Sequence, residues 1–388
     1  MDRTLPFLDV KKPGFSTRSP EVHTAREASW CAETPFGYAV LRHREAGMIL
    51  RDRRFRQGSH AWPETVGLEG SFAEFWKRSI ISLEGEDHAA LRKIAQNALA
   101  KEHILALEPT FTKIAETLCE SLRGSGPFEI IDRFTEPFAG QAITALLGLP
   151  MHMSERLAAD ATCLGLAMGP EAVRYQTEVN ASVDRLTELA IRLIDAPPRD
   201  SFVARLMSEE YEDRQALVDL TVISIFGGVD TTRAQLAFAA NLFSQYPEQW
   251  AWLRNNPKAV SDAIDEIIRM RPTTTWATRE ALEDVTIGDV SIRSGETVHI
   301  LVHASATDPR TGHNGQFDVR VRRKSHFGFG GGAHHCLGHL VARTDMMAAL
   351  NVWLRHWETI ELAEEPVFLP DSGNTSPLRM SVLPTWVN

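Results

Sequence analysis

From Asp213 to Phe243 the chain keeps a helical pattern of apolar residues for about thirty positions without a proline. Ordinary helices run to about 11–12 residues. At about 1.5 Å per residue this one is roughly 45 Å long and must cross a whole domain. Everything else has to pack around such a rod. Helical periodicity extends over most of the chain from about Asp87 to Arg271, with three- and four-residue apolar spacing in 103–122 and 134–149. After Pro272 the pattern changes. The stretch 281–302 alternates apolar and polar residues around glycine turns and predicts a small antiparallel sheet. Helical spacing returns after Cys336, and the last thirty residues read as short strands and loops. The expected fold class is mainly α with a minor β region.

A hydrophobic content of 43% in 388 residues supports a large core. Length alone suggests two or three domains, but no repeat, low-complexity tract or Pro/Gly linker marks a boundary, so 1–388 reads as a single domain. The net charge of −10 argues against nucleic acid or an anionic membrane as partner. Cys31, Cys119, Cys163 and Cys336 are far apart and form no CxxC pair, which points to neither a disulfide framework nor a zinc ribbon. No segment nears the roughly 18–20 apolar residues of a membrane span, and the start, MDRTLPFLDVKKPGF, lacks an apolar run of signal-peptide length. A cytoplasmic setting is expected.

The long helix contains SIFGGVDTTRAQ, Ser224–Gln235. Two glycines inside a helix cost about 0.8–1 kcal/mol each relative to alanine. In one reading another helix packs closely on Gly227 and Gly228, and Asp230 and Thr231 form a solvated face. In the other the backbone loosens to admit a flat ligand and a small molecule such as O2. Asp230 and Thr231 are then an acid–alcohol pair able to relay protons.

A second unusual stretch is SHFGFGGGAHHCLGHLVAR, 325–343. Gly328–Ala333 fits GxGxxA, but a charged run rather than a strand precedes it and barely fifty residues follow, too few for a dinucleotide-binding unit. Zinc on His334, His335 and Cys336 would need adjacent ligands, with no second Cys/His pair at suitable spacing. A thiolate ligand to haem iron needs hydrogen-bond donors and positive potential near the sulfur. Flanking glycines that turn the backbone amides inward and the start of a helix near Leu337 meet that need, with Phe329 covering one side of the sulfur.

Phe329-Gly330-x-Gly332-x-His334-x-Cys336-x-Gly338 resembles the haem-binding signature of the cytochrome P450 haem-thiolate monooxygenases, and HLVAR resembles its continuation. The helix stretch is similar to the family's Ala/Gly-Gly-x-Asp/Glu-Thr-Thr motif, with Gly227 where alanine is most common. The resemblance implies a triangular-prism fold with haem b between the long central helix and the cysteine loop, and Cys336 as the axial iron ligand. His88 and Arg92, four apart on one helix face, together with Arg279 and His334, are the implied partners of the haem propionates. Glu266 and Arg269 match the family's Glu-x-x-Arg pair, but Gln316 stands where a third partner, arginine, is usual. A hydrogen bond from Gln316 itself, or substitution by Arg320 or Arg322, is the expected replacement.

The implied activity inserts one oxygen atom from O2 into an organic substrate, with electrons from NAD(P)H through a separate ferredoxin or flavodoxin and its reductase. RVRRK, 320–324, is a basic cluster beside the cysteine loop that would steer an acidic partner, with Arg92 and Lys93 expected on the same face. An ordinary solvated charge run is the alternative. The competing functions are an H2O2-dependent peroxygenase, which has less need of a proton relay, a non-catalytic haem sensor or binding protein, and a degenerate docking module. The implied pocket walls are 60–80, a mobile lid at 163–170, TTTWA at 273–277 and GNTSP at 373–377. The hydroxyl- and amide-rich last two favour a substrate with oxygen functions, such as a natural-product intermediate, terpenoid or oxygenated aromatic.

Overall fold

The computed structural model describes residues 5–169, 171–312, 315–323, 326–369, 371 and 373–387. The long helix is present as Arg214–Gln245, 32 residues. It opens on Asp213, whose carboxylate accepts the Ala216 N–H at 3.0 Å, and it closes just before Pro247. It is buried on nearly all sides, as expected of a helix that is apolar all round.

Two apolar bodies share this helix. As far as Val229 it packs into one containing Phe72, Phe75, Leu164, Leu186 and Phe202. From Leu236 it packs into another, built on Phe111, Phe134, Phe138, Trp250, Trp353 and Trp357. The polar stretch Asp230–Gln235 falls at the seam between them. The helix runs without a break through Gly227–Thr232, so the backbone does not loosen there as expected. The Thr231 hydroxyl bonds a carbonyl one turn back, as the Thr221 and Ser224 hydroxyls do in the same helix.

The β region differs from expectation. A five-stranded sheet runs in the order Cys31–Thr34, Gly37–Val40, Thr297–Leu301, Trp276–Ala281, Phe55–Gln57. The expected sheet within 281–302 supplies one of these strands, Thr297–Leu301, while Val285–Ile287 and Val290–Ile292 form a separate hairpin. The main sheet is mixed rather than antiparallel, because Tyr38 pairs with Val298 in parallel register. The C-terminal strands Trp357–Leu362 and Ser381–Trp386 pair antiparallel as short elements. No helix among the described residues is long and apolar enough to cross a membrane.

Glu266 and Arg269 form a buried pair at 2.6 Å. The third partner is neither Arg320 nor Arg322. Arg323, only 9% exposed at its side chain, reaches Glu266 at 3.2 Å, and the Gln316 backbone carbonyl accepts from Arg269 at 2.9 Å. Arg320 instead pairs with Asp318 at 2.7 Å. Arg322, 87% exposed, stands 3.8 Å from Asp262. Lys324 lies outside the described residues.

Candidate active site

The cysteine loop is a tight turn set against the N-terminal region. The Gly330 N–H donates to the Phe327 carbonyl at 2.8 Å, and the Cys336 N–H donates to the Phe329 carbonyl at 2.8 Å. Gly332 has φ +68°, and a β-carbon there would lie 1.9 Å from the Leu50 carbonyl oxygen, so both conformation and space demand glycine. Gly331, which carried no role in the sequence, backs onto the Leu50 side chain. Gly338 directly precedes the helix His339–His356. Burial pushes the Cys336 thiol up, while the amides of Gly338 and His339 bonding to it, and the charge of Arg92, pull it down. The helix start thus supplies N–H donors to the sulfur, as the sequence led us to expect.

Phe329 is held from several sides. The Arg343 guanidinium lies 5.2 Å from its ring centroid, and Asp265 anchors that arginine at 2.5 Å. The rings of His326, His335 and His339 surround the phenyl group. His335, also unassigned in the sequence, offers its carbonyl to Arg92 at 2.5 Å.

A cavity of about 1190 Å³ lies between this loop and the central helix, with Cys336, Leu337 and Gly338 on one wall and Ile223, Gly227 and Thr231 on another. The two glycines have different jobs. A β-carbon on Gly228 would meet Ile143 Cδ1 at 2.8 Å, whereas one on Gly227 would meet nothing within 4 Å. Gly228 therefore serves helix packing and Gly227 opens the cavity. The Thr231 hydroxyl, on the cavity wall, donates to the Gly227 carbonyl at 2.7 Å. Asp230 is not on that wall. Its carboxylate accepts from Arg233 at 2.9 Å.

The four expected cofactor partners converge on the cavity. His88 and His334 stack with ring centroids 4.1 Å apart, and His334 bonds Glu84 at 3.0 Å. Burial, then the neighbouring His334 and Arg92, pushes His88 down to about 4. Arg279, 4% exposed, is pushed down to about 10 by burial. Among the described residues it donates only to neutral acceptors: Gln57 Oε1 at 2.8 Å, the Thr278 carbonyl at 2.9 Å and the Gly331 carbonyl at 3.3 Å. Arg92 likewise has no ion pair among the described residues. Arg279 buried and Arg92 half-buried beside one cavity, neither with a carboxylate partner among the described residues, suit a ligand that brings its own anions, as the two propionates of haem do. The donor set fits haem.

Sequence reasoning missed Glu84 and Gln57, which orient His334 and Arg279. Glu84 stands four residues before His88, a spacing that offered a signal; nothing in the linear sequence marks Gln57. Of the expected pocket segments, 60–80 contributes Ala61, Trp62, Thr65, Val66, Trp76 and Ile80 to the wall, and 163–170 contributes Met168. Pro170 lies outside the described residues. The Trp62 indole N–H ties these two segments together through the Ala167 carbonyl at 2.7 Å. Thr273, Thr274, Trp276, Ala277, Gly373 and Asn374 line the cavity. The Thr375 and Ser376 hydroxyls point elsewhere, to the carbonyls of Leu369 and Pro377.

A family profile described as Cytochrome P450 matches residues 254–375. The chain is 32% identical over 386 residues to luteothin monooxygenase of Streptomyces thioluteus, covering 96% of this chain and 94% of that one. It is 27% identical to mycinamicin IV hydroxylase/epoxidase of Micromonospora griseorubida, over 93% and 92% of the two chains. Its fold matches that of epothilone D-bound cytochrome P450epoK with a TM-score of 0.85 at 22% identity, over 97% and 98%. The chain belongs to the cytochrome P450 family, haem b monooxygenases that act on an organic substrate with O2 and a redox partner.

Proposed function

We propose that Cys336 is the axial ligand of the haem iron, that His88, Arg92, Arg279 and His334 hold the propionates, and that Asp230 and Thr231 deliver protons. The carrying observation is the pairing, across one cavity, of a half-buried cysteine that receives amide N–H groups with two guanidiniums, Arg279 buried and Arg92 half-buried, that have no carboxylate partner among the described residues. When bound, haem b supplies the iron at which O2 is activated. Phe329, clamped by Arg343, shields the sulfur from water, and the glycine turn fixes its position. Thr231 holds a hydroxyl proton at the cavity wall.

The substrate is a mid-sized, mainly apolar natural-product intermediate with a few oxygen functions. Trp62, Trp76, Ile80, Leu220 and Ile223 offer an apolar wall; Thr273, Thr274, Gln235 and Asn374 offer a few polar points. The Gln235 amide nitrogen is fixed on the Arg271 carbonyl at 3.0 Å, which orients its oxygen as an acceptor for a substrate hydroxyl. Electrons come from a separate ferredoxin or flavodoxin, and the chain works as one haem domain.

The reduced protein with carbon monoxide tests the ligand assignment. A band near 450 nm is expected, and a band near 420 nm in folded protein overturns it. Spin-state titration with a substrate library then tests the pocket. Tightest binding and fastest turnover by a bare alkane or long fatty acid would reject an oxygenated substrate.

A further inference from the structure

Thr231 lines the cavity, but Asp230 beside it faces the other way, into a small buried polar cluster. Arg233, one turn along the same helix, donates Nη2 to Asp230 Oδ1 at 2.9 Å and to Ser376 Oγ at 3.1 Å. Its buried Nε has no hydrogen-bond acceptor among the described residues; Glu136 Oε2 stands 3.9 Å away, just too far. The guanidinium thus has one carboxylate docked and a second waiting. Gly165 makes room for this arrangement, since a β-carbon there would lie 3.0 Å from Asp230 Oδ1. The Thr162 hydroxyl, one turn earlier in that helix, points to Glu136 Oε2 at 3.4 Å. The three charged side chains are graded in exposure: 6% for Arg233, 10% for Asp230 and 29% for Glu136. Only Glu136 reaches solvent to any extent.

We propose that Glu136 is the solvent-side carboxyl of the proton route to Thr231 and that Arg233 is the positioning residue that docks Asp230 on that route. Protons then enter beside the helices Glu136–Leu146 and Ser154–Gly165, not through the substrate cavity. The inference rests on the monooxygenase reading of the site. The Glu136 carboxyl gives its proton to the Asp230 carboxylate and is reprotonated by bulk water. Asp230 turns from Arg233 to Thr231 and passes the proton to its hydroxyl oxygen as Thr231 releases its own toward the cavity. No electron moves and no heavy-atom bond breaks. Burial raises Glu136 above the usual carboxylate range, helped by Asp132 and Asp230 and opposed by Arg233 and Thr162, so it retains a proton more readily than an ordinary glutamate.

The test compares Glu136→Gln, Arg233→Lys, Arg233→Gln and Asp230→Asn as haem-loaded proteins whose folding is checked by thermal unfolding and the 450 nm band. O2-driven turnover with NAD(P)H and surrogate redox partners should fall about 100-fold in Asp230→Asn and about tenfold in Glu136→Gln, in line with the loss of positioned proton-transfer groups. In both, the solvent isotope effect should grow and more electrons should escape as H2O2. In Glu136→Gln, turnover driven by added H2O2, which brings its own protons, should be unchanged. Arg233→Lys should recover most of what Arg233→Gln loses. Thermal unfolding of Asp230→Asn, Arg233→Gln and the double variant supplies a readout independent of turnover, and non-additive shifts are expected. The proposal is overturned if Glu136→Gln matches the wild type in isotope effect and electron coupling while Asp230→Asn is impaired. It is also overturned if Glu136→Gln loses H2O2-driven turnover in parallel, which marks a structural role. A wild-type protein with no O2-driven turnover sinks the monooxygenase reading itself.

Discussion

Gly332 lies in the cysteine loop and Gly227 on the cavity wall, and replacing each by alanine should have opposite effects. At Gly332 the left-handed backbone costs a side chain about 1–3 kcal/mol, and the added carbon runs into a fixed backbone carbonyl rather than a yielding side chain. Gly332→Ala should therefore lower the melting temperature and abolish the 450 nm band. At Gly227 the added methyl meets open cavity, and the helix gains about 1 kcal/mol of propensity. Gly227→Ala should raise the melting temperature while narrowing the space available to substrate, measured as weaker spin-state shifts with bulky ligands. In the sequence Gly227 and Gly228 are one indistinguishable pair. Packing and opening stood there as rival explanations, and the structure assigns one to each residue. The difference lies in Ile143, about 85 positions away, which no local pattern brings into view.

At the scale of elements, the segment after Phe317 shows where reading charges from sequence stops working. RVRRK is a uniform basic run in the sequence, but its members face different ways. Arg320 folds back on Asp318, Arg322 projects to solvent, and Arg323 turns inward to Glu266. Irregular backbone has no fixed period, so spacing predicts no direction for the side chains. The vacated third position of the Glu266–Arg269 network was legible, because Gln316 broke an expected pattern; the residue that fills it was not. The structure also narrows the docking patch. Arg322→Glu should slow reduction by an acidic ferredoxin, with the effect growing as salt is lowered. Stopped-flow reduction over a salt series measures this, and rates equal to wild type throughout would exclude the docking role. Arg323→Ala should act on folding instead. It strips a buried carboxylate of one cation, a loss of about 3–5 kcal/mol, visible in chemical denaturation and accompanied by poor haem retention.

Across the whole molecule, acid stability depends on histidines buried in neutral form. Burial, reinforced by Arg18, His23, Arg269 and Arg26, drives His303 well below its usual 6.5. The unfolded chain takes up a proton there that the folded chain refuses. The associated stability is complete above pH about 6.5 and declines as the pH falls below it, by up to about 1.4 kcal/mol per pH unit. His303→Leu should flatten that acid limb in denaturation curves taken between pH 7 and pH 5. The large-scale fold was otherwise legible where order is local: the central helix, the helix after Cys336 and the cysteine loop. The strands Cys31–Thr34, Gly37–Val40 and Phe55–Gln57 were not, because three or four residues carry no measurable alternation, and Gly37–Val40 and Phe55–Gln57 pair with strands far along the chain. That distance has a consequence for how the protein is made. Tyr38 waits for Val298, and Leu50 waits for the glycine turn at Gly331–Gly332. At about 5–20 residues per second, a ribosome needs roughly 13–50 s to span that interval. Until then Gly37–Val40 has only its hairpin partner Cys31–Thr34, and the cofactor can be captured only after the glycine turn has emerged.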